Sequence, residues 1–415
     1  MRGRLTPPVG ARPDHPARIG IALAGGGFLG AAYELGALAA LAESIDGLDL
    51  TGLDVYVGVS AGAFLAAGLA NGLSPHAMVR MFVESERDDA PFDPATLLRP
   101  SWSAVSERLR EAPRVAAEVL SELRRGWRQA GFGAAAWRGL DRATSLLPSG
   151  VLDAGPAEAK LARVFITRGR GNRFGDLPCV LRIVATDIDS GEAVAFGDAR
   201  TAEVPISRAV VASSAVPGLF APVHVGDRRF VDGALNKTLH ASIALQEGAR
   251  LVLCLNPLVP FQPTATGPSM TIAQGGLGAV LAQTVRTAIR SRMSVGLEKY
   301  RVSHPHADVL LFEPRPDDET MFATRIFSTS SRRELCEHAY RRTRMDLLER
   351  APTLSPLLAR HGLSLNLTRL NRPDLPLLRP TSGRHARPGT LASTTRRLTR
   401  TLDDLDRIVR LSHHR

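Results

Sequence analysis

Cysteine is nearly absent from this sequence: three residues in 415, Cys179, Cys254 and Cys336. They lie far apart and form no CxxC pair, which excludes a disulfide framework, argues against a structural zinc site and favours a reducing compartment. Aromatic residues are also few, at 5%. They do not interleave with the basic side chains, so stacking platforms for bases have no support and no nucleic-acid partner is expected. Lysine is rarer still. Of 52 basic residues only Lys160, Lys237 and Lys299 are lysine, leaving 49 arginines behind the formal net charge of +11. Such a skew reflects GC-rich coding as much as selection for a polyanion. Long apolar runs are confined to one place. From Ile19 to Ala42 the only charge is Glu34, which is long enough to span a bilayer. Arg2, Arg4, Arg12 and Arg18 precede it in the manner of a signal peptide. Yet Gly25, Gly26, Gly27, Gly30 and Gly36 break the run. It divides better into a buried strand over 19–24, a glycine loop and an Ala/Leu-rich helix over about 31–43.

With 44% hydrophobic and 22% charged residues, the rest is of ordinary globular composition. Residues 1–17 are rich in Pro and Arg without periodicity and read as a disordered arm. Strand-like and helix-like segments then alternate to about residue 350. Strands are expected over 55–59, 180–186, 193–196, 229–231, 251–255 and 309–312, with helices reaching Leu69 and covering 209–214. This alternation predicts an α/β domain over 18–350, a mostly parallel sheet with helices on both faces. Between residues 88 and 160 the strand signal disappears. Trp102, Val105, Leu109, Ala112, Ala116, Val119, Leu123 and Trp127 recur at helical steps divided by Pro113, which reads as a helical insertion or cap. Residues 351–390, with PTLSP and RPDLPLLRP, read as a Pro/Arg-rich linker. An amphipathic C-terminal helix over 391–412 follows, its stripe formed by Leu391, Leu398, Leu402, Leu405 and Val409.

Gly58-Val59-Ser60-Ala61-Gly62 follows an apolar strand and opens an Ala/Leu helix, the strand–turn–helix context of a G-x-S-x-G nucleophile elbow. Gly58 and Gly62 permit a turn too sharp for a β-carbon. The turn exposes the Ser60 hydroxyl and aims the Ala61 amide at the same spot. Gly25-Gly26-Gly27-Phe28-Leu29-Gly30 lies between another strand and helix, where backbone N–H groups and the helix dipole converge on an anion. For acyl transfer that anion is the tetrahedral oxyanion. The same string satisfies G-x-G-x-x-G, so a dinucleotide site competes. That reading needs an acid at the end of the second strand, where Gly58-Val59-Ser60 stands instead. Phe230-Val231-Asp232-Gly233-Ala234 places an acid at the end of a short strand; alone, it is a common turn.

Together, these three pieces resemble the patatin-like phospholipases, whose pattern is a glycine-rich oxyanion loop, then G-x-S-x-G, then D-G-[GA]. Ala185-Thr186-Asp187-Ile188-Asp189-Ser190-Gly191 is similar to the family's T-D-x-x-[ST]-G segment. The stretch from Ala209 through Ser213, Ser214, Pro217, Gly218 and Phe220 to Pro222 is similar to A-x-x-A-S-x-A-[IV]-P-x-x-F-x-P-V. The resemblance implies a three-layer α/β/α fold and a Ser–Asp dyad without histidine or cofactor. It implies Ser60 as nucleophile, Asp232 as base, and Gly25, Gly26, Gly27 and Ala61 as oxyanion donors. Gly30, Gly58, Gly62, Gly233, Ala234 and Asp187 would support the motifs. The departures are Ala234 for the commoner glycine and the long insertion, which would shape the substrate cleft.

The implied activity is hydrolysis of lipid esters, of phospholipase A or lysophospholipase type. A neutral-lipid or general carboxylesterase is the alternative enzyme, and a non-catalytic lipid-binding scaffold or a NAD-dependent oxidoreductase the alternative of another class. His240 formally completes a Ser60, Asp232, His triad order, with His224 also near in sequence, but eight residues from acid to base is short for that fold. His304 and His306 lack neighbouring ligands for a metal. Nine arginines against five acids over 99–142, and ten arginines against four aspartates over 371–415, suit contact with anionic headgroups. The expected location is cytoplasmic, with peripheral contact at the inner membrane face.

Overall fold

The computed structural model describes residues 18–84, 149–167, 170–262, 272, 276–323, 329–372 and 375–378. The described residues from 18 to 377 belong to one compact unit. The N-terminal arm, residues 88–148 of the expected insertion and the expected C-terminal helix lie outside the described residues.

The strands are β1 (Ile19–Leu23), β2 (Ile45–Asp46), β3 (Val55–Val59), β4 (Gly150–Leu152), β5 (Val180–Asp187), β6 (Ala193–Phe196), β7 (Gly218–Phe220), β8 (Val223–Val225), β9 (Arg228–Asp232), β10 (Leu251–Leu255), β11 (Asp308–Phe312) and β12 (Ser364–Leu365). Eight of them form one sheet in the order β11-β10-β1-β3-β5-β9-β8, with β6 also on β5. From β11 through β5 the pairing is parallel, and β6, β8 and β9 are antiparallel. The all-apolar runs of β3 and β10 are buried along their whole length, as strands of a sheet covered on both faces must be.

The major helices are α1 (Gly27–Ser44), α2 (Ala61–Ala70), α3 (Gly155–Ile166), α4 (Ile206–Ser213), α5 (Ala241–Gln246), α6 (Gly276–Ser303), α7 (Thr329–Glu349) and α8 (Ala351–Ala359). Helix α1 begins four residues earlier than the sequence suggests, so Gly27 is already its first residue. Small Ala and Gly side chains let α1 bury nearly every face, and at Gly36 a β-carbon would come within 2.1 Å of the Cys336 carbonyl on α7. The apolar run 19–42 is thus strand, turn and buried helix. Among the described residues no helix is long and apolar enough to cross a membrane.

Two expectations are corrected. A strand, β4, lies within the stretch read as all-helical and pairs with β7. The linker expected over 351–390 is folded through residue 372: α8, β12 paired on β2, and a short helix at Leu367–Leu370. Its prolines misled because Pro352 stands in the first turn of α8, where a missing N–H costs nothing. Leu354, Leu358, Leu363 and Leu370 are buried, and Arg344 of α7 donates to the carbonyls of Arg369 and Arg372.

Pairing registers position the site. Val184 of β5 pairs with Val59 and Ala185 with Asp232. The other edge of the same residues is taken by β6. The ends of β3 and β9 therefore meet on adjacent rungs along one edge of β5.

Candidate active site

Ser60 follows the last residue of β3 and stands before α2. Its backbone has φ 53° and ψ −120°, the only positive φ of a non-glycine residue among the described residues. A conformation of this kind costs of order 1–3 kcal/mol and persists only where surroundings enforce it. Here the enforcement is visible. The Ser60 amide donates to Ser213 Oγ at 2.8 Å, and that hydroxyl donates to the Val184 carbonyl at 2.6 Å. At Gly58 and Gly62 a β-carbon would fall 2.5 Å from the backbone of Ala63 and Leu23 respectively.

Ser60 Oγ donates to Asp232 Oδ2 at 2.6 Å, while Asp232 Oδ1 accepts from the Ala234 amide at 2.9 Å. The Asp232 amide is tied to the Ala215 carbonyl, and its carbonyl accepts from Thr186 Oγ1. Both side chains are buried. Burial raises the Asp232 pKa to about 6 against the lowering effect of the Ser60 and Ala234 bonds. A buried carboxylate with no cation on it is a stronger base than an exposed one.

The glycine loop lies against this pair. A β-carbon on Gly25 would sit 3.2 Å from those of both Ser60 and Ala234. The Gly25 amide, expected among the anion donors, instead donates to the Thr238 carbonyl at 3.3 Å. Gly26 caps α1 and Gly27 begins it, so their amides belong to the positive end of the helix dipole. Ala61 likewise starts α2 beside Ser60. Gly30 donates back to the Gly26 carbonyl, closing the first turn. Gly233 packs where a β-carbon would meet the Val184 carbonyl at 2.2 Å. Asp187 accepts from Arg228 Nε at 2.6 Å and from the Asp189 amide at 3.0 Å, and the Arg228 bond holds its carboxyl below the usual range. It braces the turn after β5 and does not touch Ser60.

The histidines stand apart. His240 is buried with Nε2 unpartnered. Burial and the Lys237 charge push its pKa down to about 3, so it is neutral. His224 is exposed on β8. Neither bonds to Ser60 or Asp232. Among the described residues no group of three or more His, Cys, Asp or Glu is placed to hold a metal ion. Sequence reasoning missed Ser213 and Thr238, whose partners are backbone atoms far away in sequence. Only the Ala-x-x-Ala-Ser string pointed toward Ser213.

The patatin-like phospholipase family profile matches residues 21–245, from β1 into α5. The chain belongs to the patatin-like phospholipase family. Members of this family are lipid acyl hydrolases. Among solved structures the chain is similar to VipD from Legionella pneumophila, at 15% identity and TM-score 0.35, over 78% of this chain and 67% of that one. It is also similar to the type III effector ExoU, at 23% identity and TM-score 0.28, over 67% and 53%. The ExoU–SpcU complex of Pseudomonas aeruginosa matches at 21% identity and TM-score 0.25, over 68% and 52%. The chain thus spans about half the length of the ExoU chains. No curated protein matches it.

Proposed function

We propose that this chain is a serine-dependent hydrolase of lipid acyl esters, of phospholipase A or lysophospholipase type, working through a Ser60–Asp232 dyad. The observation that carries the reading is the 2.6 Å bond from Ser60 Oγ to Asp232 Oδ2. In the first half-reaction Asp232 takes the hydroxyl proton as Oγ adds to the ester carbonyl carbon. The bond to the leaving alkoxide breaks, Asp232 returns the proton to it, and Ser60 is left acylated. Water then adds to the acyl carbon as Asp232 takes its proton. Ser60 Oγ leaves, recovers that proton, and the fatty acid departs. The anionic intermediate of each half-reaction faces the amides of Gly26, Gly27 and Ala61, each well-placed donor contributing roughly 3–4 kcal/mol. Gly25 is left out of this set because its amide is already bonded to Thr238. No metal or organic cofactor enters these steps.

The same reading gives the chain a lipid surface as partner. Exposed Val216 and Leu235 flank the backbone contacts of Asp232, with exposed Leu219 close in sequence. Helix α6 adds exposed Leu277, Val280 and Leu281 in its first turns, and Gln283 ties these turns to the Phe261 backbone.

A fluorophosphonate probe tests the assignment: it should label the wild type at Ser60, and labelling that survives Ser60→Ala would refute it. Hydrolysis of defined phospholipids, lysophospholipids and glycerides, with Ser60→Ala as control, separates a phospholipase from a neutral-lipid esterase.

A further inference from the structure

Among the described residues, Glu34 is the only carboxyl with no exposed surface at all, and the reaction above does not use it. It stands in the middle of α1, on a helix built mostly of Ala, Leu and Gly. Its Oε1 accepts from the Ala24 amide at 2.9 Å. Its Oε2 is buried and has no hydrogen-bond partner. Among the described residues no arginine, lysine or histidine bonds to it, and burial raises its pKa well above the ordinary value. A leucine would fill the same space without a buried polar atom, so packing alone does not account for a carboxyl here.

Ala24 is a junction. Its N–H is shared between Glu34 and the Leu255 carbonyl of β10, at 3.1 Å, and its own carbonyl accepts from the Gly62 amide, also at 3.1 Å. Gly62 belongs to the elbow that carries Ser60, and Gly25 to Gly27 follow Ala24 directly. One residue thus links the strand end, the glycine loop and the serine turn. We infer that Glu34 is a positioning residue for the oxyanion donors: by holding the Ala24 amide it sets the Gly26 and Gly27 amides against Ser60. It touches no substrate. Its effect is on where the donors stand when the anion forms, and a displacement of about 1 Å at such a site can cost about 100-fold in rate.

The inference rests on the Ser60–Asp232 reading, and the experiment keeps the two apart. Glu34→Met removes the acceptor while keeping an unbranched apolar chain, and Glu34→Gln keeps the acceptor without a titrating group. In the full-length protein, Glu34→Met should lower kcat roughly 10- to 100-fold with KM within about threefold of wild type. It should slow fluorophosphonate labelling of Ser60 by a similar factor, whereas Glu34→Gln should restore both to within about threefold. A wild-type kcat in Glu34→Met, a change in KM alone, or a Glu34→Gln loss as large as that of Glu34→Met overturns the inference. An infrared difference spectrum between wild type and Glu34→Gln at pH 8 needs no folded apolar variant. It should show a protonated-carboxyl band in the wild type, and a carboxylate band there overturns the inference as well. If Ser60→Ala keeps its turnover, the dyad reading itself has failed. If Ser60→Ala is inactive and Glu34→Met is normal, only the positioning role has.

Discussion

At the scale of single residues, the proposed chemistry turns on how Asp232 is charged. Its pKa near 6 comes from burial, and only the ionised form can take a proton from Ser60. Activity measured as kcat/KM against pH should therefore fall as pH drops through about 6, rather than near 4 as for an exposed aspartate. The stability linkage has the opposite sense. Between the unfolded value near 4 and the folded value near 6 the native state holds the extra proton, so this group's contribution to stability declines as pH rises through that window. Asp232→Asn should then melt above wild type at pH 7–8 while losing roughly 10²–10⁴ in kcat. Combined with Ser60→Ala it should be little worse than either change alone, because the two groups act as a unit. His224→Ala should leave most of the turnover, and a loss matching that of Asp232→Asn would restore the triad reading.

At the scale of elements, the tightest packing is between α1 and α7. Gly36→Ala drives a β-carbon onto the Cys336 carbonyl and toward the Tyr340 amide at 2.9 Å. Neither can rotate away, so the helices must separate. A loss of roughly 2–3 kcal/mol in urea unfolding is expected, and an unchanged midpoint would show that the helices yield freely. This contact was invisible in the sequence because its partner lies 300 residues on. Strand positions and the two glycine motifs were legible, since both depend on local patterning: all-apolar runs for β3 and β10, and turns no β-carbon can enter at Gly58 and Gly62. The fold of 351–372 was not. Pro352 and Pro356 carry the same letters in a helix's first turns as in a linker, and only burial of Leu354 and Leu358 distinguishes them. Glu34 shows the same limit at the site. In the sequence it is only the single charge of an apolar run long enough to span a bilayer, whereas its bond to Ala24 needs the strand folded back along the helix.

At the scale of the molecule, exposed apolar side chains such as Leu235, Leu277 and Leu281 combine with a formal net charge of +11. Anionic vesicles should bind the protein more tightly than zwitterionic ones, and added salt should weaken the binding as the Debye length shrinks below about 10 Å. Leu277→Asp with Leu281→Asp should reduce co-sedimentation with either vesicle type several-fold. Equal, salt-insensitive binding to both would leave the arginines without a role at the surface.

The registers on β5 that bring Ser60 to Asp232 join positions 172 residues apart, and β1, which leads into the glycine loop, gains its second neighbour only when β10 arrives. A ribosome adding roughly 5–20 residues per second takes about 10–30 s to cover that interval. Throughout it, the emerging chain carries the serine but not the carboxylate that would activate it. A hydrolase working through the proposed pair would be born inert. It gains its working pair only after most of the domain that encloses the pair has left the tunnel, so unfinished chains cannot erode the lipids around them.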